Sequence, residues 1–117
     1  MLSEDSADGE WAKAVADLRS YGIPEAAANA DLLEIAGTKW AGLVVPRTSM
    51  ASLLFTRLGD PFPFPVEVHV HWSEGTFEFR LNRGMLLVTA DRCHQPNAPA
   101  VLDSFLMQIA SLPEDPE

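Results

Sequence analysis

Between Val66 and Asp91 apolar and polar residues alternate through three successive stretches, and no other feature restricts the fold as tightly. Val66, Val68, Val70 and Trp72 interleave with Glu67, His69 and His71. A period of two places one set on each face of a strand. Glu74-Gly75 supplies a two-residue hairpin turn, because glycine adopts the positive φ that such turns demand. That turn sets Trp72 opposite Phe77, Val70 opposite Phe79 and Val68 opposite Leu81. Arg83-Gly84 is the second turn, and it sets Leu81 opposite Leu86, Phe79 opposite Val88 and Phe77 opposite Ala90. Residues of about 66–91 therefore read as a three-stranded antiparallel β-meander with one apolar and one polar face. A slip of one residue would expose valines and phenylalanines, so the register is strongly specified.

An apolar sheet face needs a cover, and the flanking sequence offers helices. Trp11, Ala14, Val15 and Leu18 recur at helical spacing after Asp8, a good capping residue. Gly22 and Pro24 end that helix. Residues 26–36 are alanine-rich, which favours helix, but Leu32, Leu33 and Ile35 also suit a strand. A short strand is expected near 40–45, closed by Pro46. Ala51, Leu54, Phe55 and Leu58 form a second helical stripe before Gly59, which predicts a middle helix over 49–58. Asp60 to Pro65 alternates proline with phenylalanine, giving an extended connector whose rings either plug the core or form an exposed ridge. Asn97 and Pro99 open a last helix, 98–112, with a stripe of Leu102, Phe105, Ile109 and Leu112. The expected fold class is α+β: the meander and the short strand, packed with N-terminal, middle and C-terminal helices.

At 117 residues and 47% hydrophobic content the chain suits a single domain, 1–117, with a core of its own. The net charge of −9 is unevenly placed. Four acids fall in the first ten residues and three in the last four; setting those seven aside leaves ten acids against eight bases. Flexible acidic tails are expected at about 1–8 and 113–117. Nucleic-acid binding is disfavoured, since phosphates call for a basic patch. No apolar run reaches the roughly 20 residues of a membrane span, and the acidic start lacks a signal-peptide pattern. The lone Cys93 precludes an internal disulfide, which suits a cytoplasmic setting.

The polar face of the meander gathers Glu67, His69, His71, Glu78, Arg80 and Leu87. An apolar Leu87 on a polar face suggests that something covers it, either a partner or a second copy in a homodimer. His69-x-His71 with Cys93-His94 is the only metal-like set, and adjacent Cys and His chelate one ion poorly. No phosphate loop, nucleophile elbow or paired carboxylate stands out, so no catalytic, metal or cofactor residues are assigned. In size, charge and class the chain resembles immunity proteins, antitoxins and secretion chaperones, each of which masks one partner protein. No motif ties it to a particular family. The resemblance implies a non-catalytic protein-binding module, with those six residues as the contact surface for a toxin or secreted protein. The alternative is a small-molecule or metal-binding domain, or a small enzyme, built on the histidine-bearing face.

Overall fold

The computed structural model describes residues 4–49 and 52–111, with side chains for all of these except 4–8 and 38. Three helices, α1 (Glu4–Arg19), α2 (Pro24–Trp40) and α3 (Ala98–Ser111), accompany five strands. The strands are β1 (Val44–Ser49), β2 (Ser52–Arg57), β3 (Val66–Ser73), β4 (Thr76–Arg83) and β5 (Leu86–His94). All neighbours pair antiparallel in the order β1-β2-β3-β4-β5, an uninterrupted meander. The α+β class follows, with the helices packed on one face of the sheet.

The β3–β4 hairpin has the register that its alternation predicts. Trp72 faces Phe77, Val70 faces Phe79 and Val68 faces Leu81. Glu74 and Gly75 both have positive φ, 51° and 83°, so the hairpin closes through a turn twisted in the same sense as its strands. Only glycine adopts such a φ without steric cost, which places Gly75 at the second position.

The described part of the segment 49–58 is not a helix, contrary to its stripe. Ser52–Arg57 is strand β2, held between β1 and β3. Leu53 and Phe55 are buried on the helix-covered face, Thr56 is buried on the other, and Leu54 is half-buried there. A strand enclosed on both sides reads as a nearly continuous apolar run, and six residues are too few to separate a period of two from one of 3.6. Ala51, the first residue of the expected stripe, lies outside the described residues. The short strand expected near 40–45 lies later, at Val44–Ser49, because α2 continues to Trp40. Pro46 sits inside β1, opposite Phe55, rather than closing it. An edge strand tolerates proline, since one side of its backbone has no partner strand.

Residues 26–36 are helical. Ala26, Ala28, Ala30, Leu32, Leu33 and Ala36 are all buried, because α2 packs against α1, α3 and the sheet together. A helix surrounded in this way has little polar face, which is why its amphipathic pattern is faint. Helix α1 begins at Glu4, so Asp8 lies within it instead of capping it. Acids at a helix start are favoured by the backbone dipole. Leu112, the end of the α3 stripe, and the acidic tail 113–117 lie outside the described residues. Within α3, Leu102, Phe105, Leu106 and Ile109 are buried against the sheet.

One polar tie joins α2 to α3. Asp103 accepts a hydrogen bond from Trp40 Nε1 at 2.8 Å through one oxygen and pairs with Lys39 Nζ at 3.0 Å through the other. Trp40 is buried, so loss of its acceptor leaves an indole N–H without a partner. Asp103→Ala is expected to cost about 1.5 kcal/mol. Lys39→Ala, which removes an exposed ion pair and a cation–π contact 5.7 Å from the Trp40 ring centroid, is expected to cost less, about 0.5–1 kcal/mol. Urea denaturation of both variants checks the difference. Equal losses would place the energy in the ion pair instead of the indole.

Candidate functional site

With the helices on one face, the other face of the sheet is bordered, among the described residues, by the connector that carries Phe64 and, beside His71, by Glu25 of α2. Strand parity decides which residues stand on it. On β3 and β4 these are Glu67, His69 and His71 across from Asn82, Arg80 and Glu78. On β5, Leu87 stands opposite Asn82, Ala90 opposite Arg80 and Arg92 opposite Glu78. All six residues expected at a contact surface (Glu67, His69, His71, Glu78, Arg80 and Leu87) therefore share this outer face. An open depression of about 390 Å³ lies among His69, His71, Glu78, Arg80 and Asn82.

The second hairpin reached this arrangement by a different route from the one the sequence predicts. Its turn is Gly84-Met85, since Arg83 pairs with Leu86, and a bulge follows at Leu81/Asn82. The extra residue on β5 is Val88, between Leu87 opposite Asn82 and Thr89 opposite Leu81. Beyond it Phe79 faces Asp91 and Phe77 faces Cys93, three places along from the expected Val88 and Ala90. A bulge of this kind reverses the facing of every later residue on the strand. Leu87 keeps the expected face, whereas Thr89 and Asp91 move to the helix side and Ala90 moves outward. Met85, Leu86, Leu87 and Val88 are all strongly exposed, with Leu87 at 57%.

The ion pairs on the face differ from simple cross-strand partnering. Glu78 contacts Arg80 at 3.4 Å and Arg92 at 3.8 Å rather than His71. His69 Nε2 lies 2.8 Å from Glu67 Oε1 on its own strand, and His71 Nδ1 lies 3.9 Å from Glu25 Oε2 at the start of α2. At the β1 side, the Arg47 guanidinium covers the Phe64 ring at 4.3 Å, and its Nε donates to Thr56 Oγ1 at 3.0 Å. The proline-aromatic connector thus belongs to the surface. Phe62 is 83% exposed and meets Phe64 edge-on at 5.6 Å, so neither ring plugs the core.

Cys93 and His94 diverge, as adjacent residues on a strand must. Cys93 pairs with Phe77 on the helix side and His94 with Thr76 on the outer side. Partial burial, with a smaller contribution from the Asp91 carboxylate, pushes the Cys93 thiol up from its ordinary value, which disfavours the nucleophilic thiolate. Among the described residues, no three His, Cys, Asp or Glu side chains are grouped to hold a metal ion. Among the described residues, no helix is long and apolar enough to cross a membrane. A second depression, about 550 Å³, follows the seam between α1 and α2 beside Trp11 and Gly37. Its polar rim is satisfied internally, with Arg19 bound to Glu34 at 2.7 Å and to Asp31 at 2.9 Å.

Against protein-family models, curated proteins and solved structures, the chain has no match in any of the three comparisons.

Proposed function

We propose that the chain is a non-catalytic protein-binding module that masks a partner protein, in the manner of an immunity protein, an antitoxin or a secretion chaperone. The observation that supports this reading is the outer sheet face. Among the described residues no helix packs on its centre, it carries hydrogen-bonding groups on three adjacent strands, and it borders an exposed apolar run at Leu86, Leu87 and Val88. Apolar surface next to open polar groups is the composition of a contact patch with a polar rim. Occlusion requires only such a surface and no reacting group.

The test uses Leu87, the apolar residue on that face. A partner captured with the wild-type chain from lysate of its native cells is purified and titrated by calorimetry. Leu87→Asp and Leu87→Arg are each expected to weaken binding by about tenfold or more, because either charge is desolvated at the contact. Thermal unfolding is expected to stay near wild type, since Leu87 is already exposed. Wild-type affinity in both variants would reject this face as the contact.

A further inference from the structure

The apolar side chains left in solvent are gathered rather than scattered. Of the eleven exposed large apolar residues among those described, seven fall at one end of the sheet: Leu43, Leu58, Phe62 and the run Met85 to Val88. Topology brings them together, because β1, β3 and β5 start at this end and β2 and β4 finish there. The Leu58 amide donates to the Leu43 carbonyl at 2.9 Å, and the Gly84 amide to the Pro65 carbonyl at 2.9 Å. The connector that carries Phe62 therefore ties the β1 side to the β4–β5 turn.

Both acidic stretches of the chain attach at this same end. Helix α1 points its start here: Trp11 Nε1 reaches the carbonyl of Val44, the first residue of β1, whereas Arg19 meets Asp31 and Glu34 farther back along α2. Helix α3 leaves the opposite end, where the Gln95 amide donates to the Gly75 carbonyl. By Asp103 it has reached Lys39 and Trp40, the last residues of α2. Glu4, Asp5, Asp8 and Glu10 open α1, and Glu114, Asp115 and Glu117 follow Ser111, the last residue of α3. Six residues span at most about 20 Å, so the charge beyond Ser111 stays near its helix. These seven acids carry −7 of the total −9. The bases around them are Lys13, Arg47 and Arg83, while Arg57 and Lys39 are each bonded to a carboxylate, Asp60 and Asp103. Seven acids against three bases leave −4, and Glu67 at the start of β3 adds to the excess. Arg80 and Arg92 lie farther along the sheet and share Glu78.

We infer that this end of the sheet receives a basic, apolar protein segment, whose apolar side chains cover Phe62 and Met85 to Val88 and whose lysines or arginines face the acids of the two chain ends. The inference rests on the protein-binding reading and adds to it a contact region beside the outer face, with the chemistry of what meets it. An exposed apolar cluster of this extent marks a contact, and charge selects the occupant. A second copy brings the same acids, and an anionic bilayer or a nucleic acid brings phosphates, so each is repelled here. A segment with bases between apolar residues meets opposite charge around an apolar centre. Five strands spaced about 4.8 Å apart make this end about 20 Å wide, the reach of six extended residues.

The probe is a short synthetic peptide alternating Lys and Leu, with Glu-Leu and Lys-Ser peptides as controls, titrated into the ¹⁵N-labelled chain at low salt. The Lys-Leu peptide is expected to shift the amides of Leu58, Phe62, Met85 and Leu87 and to leave those around Gly75, at the opposite end, unmoved. Phe62→Ser with Met85→Ser is expected to weaken it about tenfold without lowering thermal stability, since both side chains stand in solvent. Glu114→Gln, Asp115→Asn and Glu117→Gln together are expected to weaken it about threefold and to flatten its salt dependence. Preference for the Glu-Leu peptide overturns the inference through the sign of the charge. Equal binding of the Lys-Ser peptide overturns it by leaving the apolar cluster without a role. Phosphatidylglycerol vesicles shifting the same amides more strongly overturn it by assigning this end to a lipid surface. Concentration-dependent self-association that Met85→Ser abolishes does so by assigning it to a second copy. If the Leu87 variants lose the captured partner while the Lys-Leu peptide leaves this end unmoved, the protein-binding reading stands and this inference falls. If the peptide behaves as expected while those variants keep the captured partner, the outer face falls and this end stands.

Discussion

Phe79→Ala is expected to lower the unfolding free energy by about 3–5 kcal/mol, the usual cost of deleting a fully buried aromatic ring. Phe79 is wholly buried on the helix-covered face of β4. Its ring stacks on Phe77 at 5.9 Å along the strand and on Phe105 of α3 at 5.6 Å. It therefore joins sheet to helix at the point where three aromatic rings meet. Domains of this kind have a total stability of about 5–15 kcal/mol, so the variant is expected to approach the limit of folding at 37 °C. The check is urea denaturation, with the midpoint falling and the slope retained. Arg80→Ala, one strand position away on the outer face, serves as the control and is expected to stay within about 0.5 kcal/mol of wild type. A loss below about 1 kcal/mol for Phe79→Ala would contradict the packing described for this core.

The second large effect concerns the seam between α1 and α2. Trp11 is buried, its ring centroid lies 5.7 Å from that of Phe55, and its Nε1 donates to the Val44 carbonyl at 3.3 Å. It thus ties α1 to both β1 and β2. Gly37 of α2 lets this ring approach closely: a Cβ at that position would stand 3.3 Å from Trp11 Cε3. Trp11→Ala is expected to cost about 3–5 kcal/mol. Gly37→Leu, which forces a branched side chain against the indole, is expected to cost about 1–3 kcal/mol by overpacking. In the double variant the leucine occupies part of the space the indole leaves. The combined loss is therefore expected to fall short of the sum by about 1 kcal/mol or more, a coupling that only touching residues show. Strict additivity would mean that Gly37 does not make room for Trp11. Gly37→Ala is the subtler comparison, where a helix-propensity gain of up to about 1 kcal/mol opposes a tight contact, so a small net change is expected.

These two sites differ in how far they can be read from the chain. The β3–β4 hairpin is legible in full, because its alternation is regular over eight residues on each side and a Glu-Gly turn fixes the count between them. The stripe of Trp11, Ala14, Val15 and Leu18 is legible for the same reason, at the helical period. The closeness of Gly37 to Trp11 is not, since nothing local marks a glycine in the middle of a helix as a contact. Strand β2 was hidden by its own burial: a segment covered on both faces loses the polar residues that would show its period. On β5 the run Leu86-Leu87-Val88 has no alternation to count, so neither the turn position nor the bulge is visible before β4 is beside it. The candidate contact residues on β3 and β4 were placed by a sound register. Leu87 reached the same face opposite Asn82 rather than Arg80, because two positions on one strand that differ by two share a face.

What the sequence determines by itself is local: the hairpin of Val66 to Arg83, the apolar faces of α1 and α3, and the membership of Glu67, His69, His71, Glu78 and Arg80 in one polar surface. Period and turn chemistry act between near neighbours, so they survive without knowledge of the fold. Tertiary structure decides the rest. It makes 52–57 a strand by supplying β1 and β3 on its two edges, and it makes 26–36 a helix by surrounding it with α1, α3 and the sheet. It also decides which charges border the exposed face, such as Glu25 of α2, which reaches His71. Sequence adds every charge into one total of −9, but the side on which the helices pack determines which of those charges an approaching molecule meets.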